Sequence, residues 1–340
     1  MVALLVIIVL LSLLVQYRLN IWNRDFFDAL ERKDGPELGQ QALVFVPLVV
    51  ASTTIAIFGV WSRMTAQRKW RDWLSQHLIA LWLANGRYYR LHLAPGDHEN
   101  PEYRIAEDAR VATDAPIDFA VGLLQSVLIA ITFINVLWVV GGDLVINASG
   151  RMIVVPGYLV IAAVVYAALA TSAMLLIGRR LGPVVEAKNE AEAELRHAAT
   201  RLQQRALRDG DWQENSVMES AVGTALGQVI TQWRHLCAQL MRTTLISHAN
   251  SLLSPLVGLI LCAPKYLAGM MTLGEVTQAT AAFFTVQAAL NWLVDNYPRL
   301  ADWRSSAHRV ATLLVSLDAI DGLEDVAHSS RIPRGEYEKP

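Results

Sequence analysis

Six apolar stretches, each close to the thickness of a bilayer's hydrocarbon core, limit what this chain can fold into. A helix needs about 20 apolar residues to cross that core. Residues 1–17, 42–61, 119–140, 152–178, 245–270 and 276–297 reach or approach that length. No water is present there, so a spanning backbone must bond to itself, as a helix does. The fifth and sixth stretches are the least apolar. They carry Ser, Asn, Gln, Thr and one Asp, which suits helices facing protein or water. With 54% hydrophobic and 18% charged residues, the chain reads as a polytopic membrane protein rather than a soluble enzyme. A formal charge of −2 gives no sign of a nucleic-acid partner. Cys237 and Cys262 are too few and too isolated for a disulfide framework or a zinc site. No Cys/His/Asp cluster has metal-ligand spacing, and no Ser/His/Asp set stands out as a triad.

Residues 1–17 lack the basic leader and the Ala-x-Ala site of a signal peptide, so they are expected to be a true span with a missing or very short leader. Lysines and arginines concentrate in two long connections, from Arg63 to Arg110 and from Arg179 to Arg242. The bias toward positive charge inside then predicts that both connections and both termini are cytoplasmic. The triplet Asn147-Ala148-Ser149 would face outward, but a three-residue match is common by chance and carries no weight.

Both long connections have helical sequences. Trp70, Trp73, Leu74, His77, Leu78, Leu81 and Trp82 recur at helical spacing, and residues 183–243 are rich in Ala, Glu, Leu, Gln and Arg. The spans are therefore expected to run on below the membrane as two helical hairpins, 62–116 and 179–244. At the base of the first lies NPEYRIAEDAR, 100–110. The Asn100-Pro101 step is expected to end one helix. A short crosswise helix, about 103–110, would follow with Arg104, Glu107, Asp108 and Arg110 on its polar sides. Two readings stay open: a solvated, capped turn, or a piece that transmits a push from a soluble partner.

Three other places hold polar groups of interest. In WNRDFFDALERKD, 22–34, Trp22, Phe26, Phe27 and Leu30 share one helical face and read as membrane-edge anchors, with a substrate gate as the alternative. Asn135, His248 and Asn250 lie at membrane depth, where the plain reading is a hydrogen bond between helices. Gln287, Asn291 and Asp295 recur every four residues, so they stack along one side of the sixth span. They read as a pathway wall. Alternatively, Asp295 pairs with Arg299 at the membrane edge, where Pro298 ends the span.

Four segments together resemble a known family. NIWNRDFFDALERKD (20–34) is similar to its first external elbow. RKWRDWLSQHLIALWLANGRYYRL (68–91) with NPEYRIAEDAR is similar to its first cytoplasmic hairpin. LAGMMTLGEVTQATAAFFTVQAALNWLVDNYPRLADWRSSAHRV (267–310) is similar to its last span and exit helix. The family is the membrane domain of bacterial ABC transporters related to the peroxisomal fatty-acyl transporters and to the peptide-uptake permeases of the inner membrane. The likeness covers most of residues 1–315. It is loose at RDGDWQENSVMESAV in the second hairpin.

The resemblance implies an all-α membrane protein with an ABC exporter-like domain over 1–315, a short cytoplasmic tail over 316–340, and a domain-swapped homodimer. It implies a coupling role for Asn100, Pro101, Arg104, Glu107, Asp108 and Arg110 against an ATPase domain. The 340 residues contain no G-x-x-x-x-G-K-[ST] phosphate loop, so no nucleotide-binding domain is expected in this chain. ATP and Mg would enter only through a separate or missing domain, and no catalytic or cofactor site is expected here. The expected function is an inner-membrane permease for peptides or other bulky amphipathic solutes, driven by ATP or by a proton gradient. Its expected partners are a second copy of itself, the lipid bilayer, the solute and an ABC ATPase domain. The other class of function is a non-transporting scaffold that has lost its ATPase half.

Overall fold

The computed structural model describes residues 1–91, 100–148, 151–209 and 216–329. The chain divides into two compact units, one of Met1–Val136, Thr272–Gln278 and Ala288–Pro340, the other of Leu137–Met271 and Ala279–Gln287.

In the first unit, α1 (Val2–Glu31) packs against α2 (Gly35–Leu83). The turn between them is short because Lys33 takes a left-handed conformation and Asp34 caps α2, its carboxylate accepting the Glu37 amide at 3.2 Å. The elbow segment is not a separate helix. It continues α1 to Glu31, and Trp22 stacks on Phe26 and Phe45 while its indole donates to the Gln41 carbonyl. At 49 residues, α2 is about 74 Å long, more than twice the hydrocarbon core. It therefore runs well beyond any bilayer, as the helical spacing of Trp70 to Trp82 predicts. One 3-10 turn, Ala84–Gly86, and the short α3 (Arg87–Arg90) follow.

Pro101 then opens the chain's next helix. It comprises α4 (Pro101–Tyr103), a single π-helical turn at Arg104–Asp108, and α5 (Ala109–Gly141). These pieces form one rod, Pro101–Gly141. The crosswise helix at 103–110 is therefore not formed. Proline suits the first helical turn, where its missing N–H costs no bond. It starts α4, and nothing after it breaks the rise into α5. Asn100, as the pre-proline rule requires, avoids the right-handed helical region and sits at φ +56.

The second unit holds a feature absent from the sequence expectation. Strand β1 (Leu144–Ala148) pairs antiparallel with β2 (Arg151–Val155), Leu144 opposite Val155. The fourth apolar stretch thus does not begin as a helix at 152. Helix α6 (Tyr158–Gly178) starts after Pro156-Gly157, where Gly157 has φ +57 and lies under Trp138, whose ring a Cβ would strike. Helices α7 (Leu181–Asp209) and α8 (Ser216–Leu267) form the second hairpin, and α8 also packs on α6. The poorly matching segment RDGDWQENSVMESAV lies partly outside the described residues, as do Ser149 of the triplet and the tail RIPRGEYEKP.

The last helix, α9 (Leu273–Ser329), contributes residues to both units. It passes through Pro298 without ending there, and it includes residues 316–329, which the sequence places in the tail. Among the described residues, five helices are long and apolar enough to cross a membrane. The sixth stretch, in α9, falls short of them in hydropathy, as its Gln, Asn, Thr and Asp content dictates.

The start of α9 is fastened by four capping bonds. Thr272 and Glu275 form a reciprocal box, with the Thr272 amide on the Glu275 carboxylate at 3.0 Å and the Glu275 amide on the Thr272 hydroxyl at 3.2 Å. Two acids of α1 complete it. Asp28 accepts the Gly274 amide at 2.9 Å and Glu31 accepts the Leu273 amide at 2.8 Å. Negative charge is favoured at a helix N-terminus. Residue 274 must be glycine for this approach, because a Cβ would overlap the Arg24 carbonyl and the Asp28 carboxylate. Gly274→Ala is expected to cost about 1–3 kcal/mol, as overpacking does. It should lower the thermal midpoint of the detergent-solubilised protein. Gly223→Ala, where a Cβ has open space, should leave it unchanged or slightly raised.

Candidate functional site

Where the first hairpin meets the far part of α9, the first unit has its own apolar core. Leu78 of α2, Leu91, Ile105, Ala109, and Val310, Leu313 and Leu317 of α9 are buried together, with Leu74, Leu81, Trp82, Ala112 and Leu314 packed on them. All but Leu91, which follows α3, come from three helices at helical spacing, so each helix offers one apolar stripe to a common centre. Trp70 and Trp73, on the same helix, remain exposed.

Beside this core lies an ion pair. Asp108 is 1% exposed, and Arg309 grips it with two hydrogen bonds of 2.8 and 2.5 Å. The guanidinium also donates to the Ser305 and Ser306 hydroxyls at 2.6 and 2.9 Å. A forked, two-bond pair is both strong and directional. Burial alone would push the Asp108 carboxyl up. The Arg309 and Ser306 hydrogen bonds outweigh that and hold it below its ordinary value. The pair locks the π turn ahead of α5 to α9 across 201 residues of sequence. A π turn is a frequent companion of functional positions.

The structure places the other predicted coupling residues around this latch. Pro101 and Arg104 are buried. Glu107 pairs with Arg110 at 2.5 Å, which holds the Glu107 carboxyl below its usual range, and Arg110 also reaches Asp114 at 3.5 Å. Those two pairs lie on the exposed side, where such contacts contribute little to stability. Asp108 therefore differs from its neighbours: it faces the core, whereas Glu107 and Arg110 face outward.

A second charged knot was not anticipated. Asp118 receives Arg299 at 2.9 Å and Gln67 at 2.9 Å, and Arg63 lies 3.6 Å away. Arg63 follows the second apolar stretch by two residues, Asp118 precedes the third by one, and Arg299 follows the sixth by two. Three helices thus bring charges to one level at the edge of their apolar runs. That common edge was the available signal; which acid meets which arginine is set by packing. The pairing of Arg299 with Asp295 is not made.

The three residues read as one pathway wall have different surroundings. Gln287 is fully buried in the second unit, donating to the Ala163 carbonyl of α6 at 2.7 Å. Asn291 is half-buried, and Asp295 is exposed with no ion pair among the described residues. The four-residue spacing is real, but Gln287 serves as a bond between helices. His248 and Asn135 are exposed, and Asn250 is half-buried with its Oδ1 unpartnered among the described residues. Among the described residues, no group of three or more His, Cys, Asp or Glu side chains is placed to hold a metal ion.

Long apolar helices that run on past the bilayer, joined below it by a hairpin latched to the last helix, define the membrane region of a multi-pass membrane protein of the ABC type. The family described as ABC transporter transmembrane region 2 matches residues 1–267, and the chain belongs to it. It is 27% identical over 309 residues, 88% of its length, to the inner membrane ABC transporter ATP-binding protein YddA of Escherichia coli, covering 54% of that protein. It is 18% identical over 86% of its length to ABC transporter D family member 2, chloroplastic, of Arabidopsis thaliana, covering 39% of that protein. Over 101 residues, 30% of the chain and 17% of the relative, it is 29% identical to the lysosomal cobalamin transporter ABCD4 of Mus musculus. The chain spans about half the length of the YddA relative.

The latch makes an asymmetric pair of mutants. Arg309→Gln leaves a buried carboxylate without its partner and is expected to cost about 3 kcal/mol, the low end for breaking a buried pair, because Arg309 keeps access to water. Asp108→Asn removes the charge along with the pairing and should cost less. The double variant should recover part of the Arg309→Gln loss in a double-mutant cycle read by thermal unfolding. Because the folded carboxyl sits below its unfolded value, the pair's contribution is complete above about pH 4 and is lost as pH falls through the folded value.

Proposed function

We propose that this chain is the membrane half of a transporter that carries peptides or other bulky amphipathic solutes across the bacterial inner membrane. Two copies form the pathway, and groups of helices rock as rigid bodies to open it to each side in turn. Both hairpins and both termini lie in the cytoplasm. Energy comes from ATP hydrolysed by a nucleotide-binding domain outside these 340 residues, which presses on the exposed Asn100 and on the outward pairs at Glu107 and Arg110. The observation that carries this reading is the Asp108–Arg309 latch with its apolar core. A push on the start of the Pro101–Gly141 helix reaches α9 through a two-bond ion pair rather than through a soft loop. The E. coli relative is named as an ATP-binding protein, which supports the choice of ATP.

Proton drive is the second reading, and one observation favours it. Asp295 is an exposed carboxylate without an ion pair among the described residues, near the end of the sixth apolar stretch. Uptake of a labelled peptide into proteoliposomes, with ATP and a nucleotide-binding domain or with an imposed proton gradient, separates the two. ATP drive predicts that Asp295→Asn transports normally with unchanged pH dependence. Loss of gradient-driven uptake in that variant, with insertion intact, would transfer the role to the proton. No uptake under either drive, from protein that mass photometry shows to be dimeric, leaves only the scaffold. A protein that transports as a monomer refutes the two-copy pathway.

Orientation has its own test. A membrane-impermeant thiol reagent applied to intact cells should miss Glu102→Cys and label Asp143→Cys. The opposite pattern would reverse the topology and every role assigned above.

A further inference from the structure

The first unit contains a groove that neither the latch nor Asp295 uses. It runs between α1, α2 and α5, has a volume of about 260 Å³, and is lined from Leu5 to Gln16 on α1, from Ser52 to Arg63 on α2, and by Val121 and Gln125 on α5. That is just below the roughly 300–1,000 Å³ of enclosed small-molecule sites, so the groove is open along one side and takes an elongated occupant rather than enclosing it. The α2 wall from Ser52 to Arg63 rises about 16 Å, and half of a bilayer's hydrocarbon core is about 15 Å. The groove therefore reaches from the membrane edge to about the midplane.

Its chemistry changes along that depth. The mouth is cationic: Arg63 lies 3.6 Å from Asp118, and Arg299 holds the same carboxylate at 2.9 Å. Two guanidiniums around one carboxylate leave a positive charge uncompensated within that knot. The middle is apolar, with Ile8, Val9, Ile55, Val60 and Val121 on its walls. The deep end is polar again. Ile8 stands level with Gly59, so Gln16, two turns further along α1, lies near the level of Ser52, two turns back along α2. Gln16 and Ser52 are half-buried and make no side-chain hydrogen bond among the described residues. A polar group within an apolar stretch is costly unless a partner satisfies it. A plain acyl chain offers none.

We infer that this groove binds a bipolar amphiphile, with an anionic group at Arg63, an apolar middle along α1 and α2, and a hydrogen-bonding group against Gln16 and Ser52. The inference rests on the transporter reading and narrows its cargo to solutes with a negative terminus.

Full-length protein in phosphatidylcholine nanodiscs can be titrated with 11-(dansylamino)undecanoic acid, which carries a carboxylate at one end and a sulfonamide at the other, and with its methyl ester. The acid should bind saturably. Arg63→Gln should weaken the acid about tenfold, the size of one charge-assisted contact, and leave the ester unchanged. Ala56→Phe, which obstructs the middle, should abolish saturable binding of both. A diazirine analogue of the acid should label wild-type peptides within 5–16 and 52–63, a readout that does not depend on how the variants fold. Absence of saturable binding, equal losses for acid and ester in Arg63→Gln, or label confined elsewhere overturns the assignment. So does a stoichiometric phospholipid, seen by native mass spectrometry and lost in Ala56→Phe, because the groove then belongs to the bilayer. Binding is read without transport, so probe binding without uptake refutes the transporter reading alone. Uptake without probe binding refutes the groove alone.

Discussion

Inside a bilayer a backbone amide has no water to bond, and that single constraint organises this protein. Each crossing must close its hydrogen bonds within itself, so the chain crosses as helices. Once nucleated, a helix extends at little further cost if the following residues permit it. In this chain they do. From Gly35 to Leu83 and from Leu273 to Ser329 no residue stops the rise, although each run includes a proline. The helices therefore outrun the membrane, and both hairpins are built largely of their continuations.

Continuations of that kind need their own fastening, because lipid no longer surrounds them. In the first unit, α9 is tied near both ends. At its start, two acids of α1 and its own capping box satisfy the free amides. Toward its far end, a three-helix apolar core and the Asp108–Arg309 pair hold it to the hairpin. Between the two lies Asp118, shared by Arg63 and Arg299 at the edge of the apolar runs. All three fastenings use carboxylates, two of them against arginines and one against helix amides.

Much of this was legible beforehand, and the failures have identifiable causes. The spans, the two hairpins and the family all follow from long patterns, and long patterns average out local exceptions. The errors lie at single residues. The crosswise helix at 103–110 was inferred from Asn100-Pro101 as an ending, whereas proline is equally a beginning, and only the conformation of Asn100 decides between them. The β1–β2 hairpin was hidden in a run of β-branched residues that hydropathy scores the same in a helix or a strand. Gln287 shares a spacing with Asn291 and Asp295, but spacing gives a side of a helix and not what lies against it.

The sequence by itself therefore determined the class of fold: six apolar stretches marked the candidate crossings, and arginine-rich helical connections set the two hairpins. It also presented the charged residues near the ends of the spans. Only the tertiary structure decided which of those charges are used and how. Asp108 and Glu107 are adjacent in sequence and alike in chemistry, yet one is buried under Arg309 and the other faces outward with Arg110. Arg299 chose Asp118 over Asp295, four residues away on its own helix. The physical reason is that hydrophobicity acts through the bilayer on each segment separately and can be summed along the chain. An ion pair depends on a distance of about 3 Å between side chains on different helices, and no property of either segment alone contains that distance.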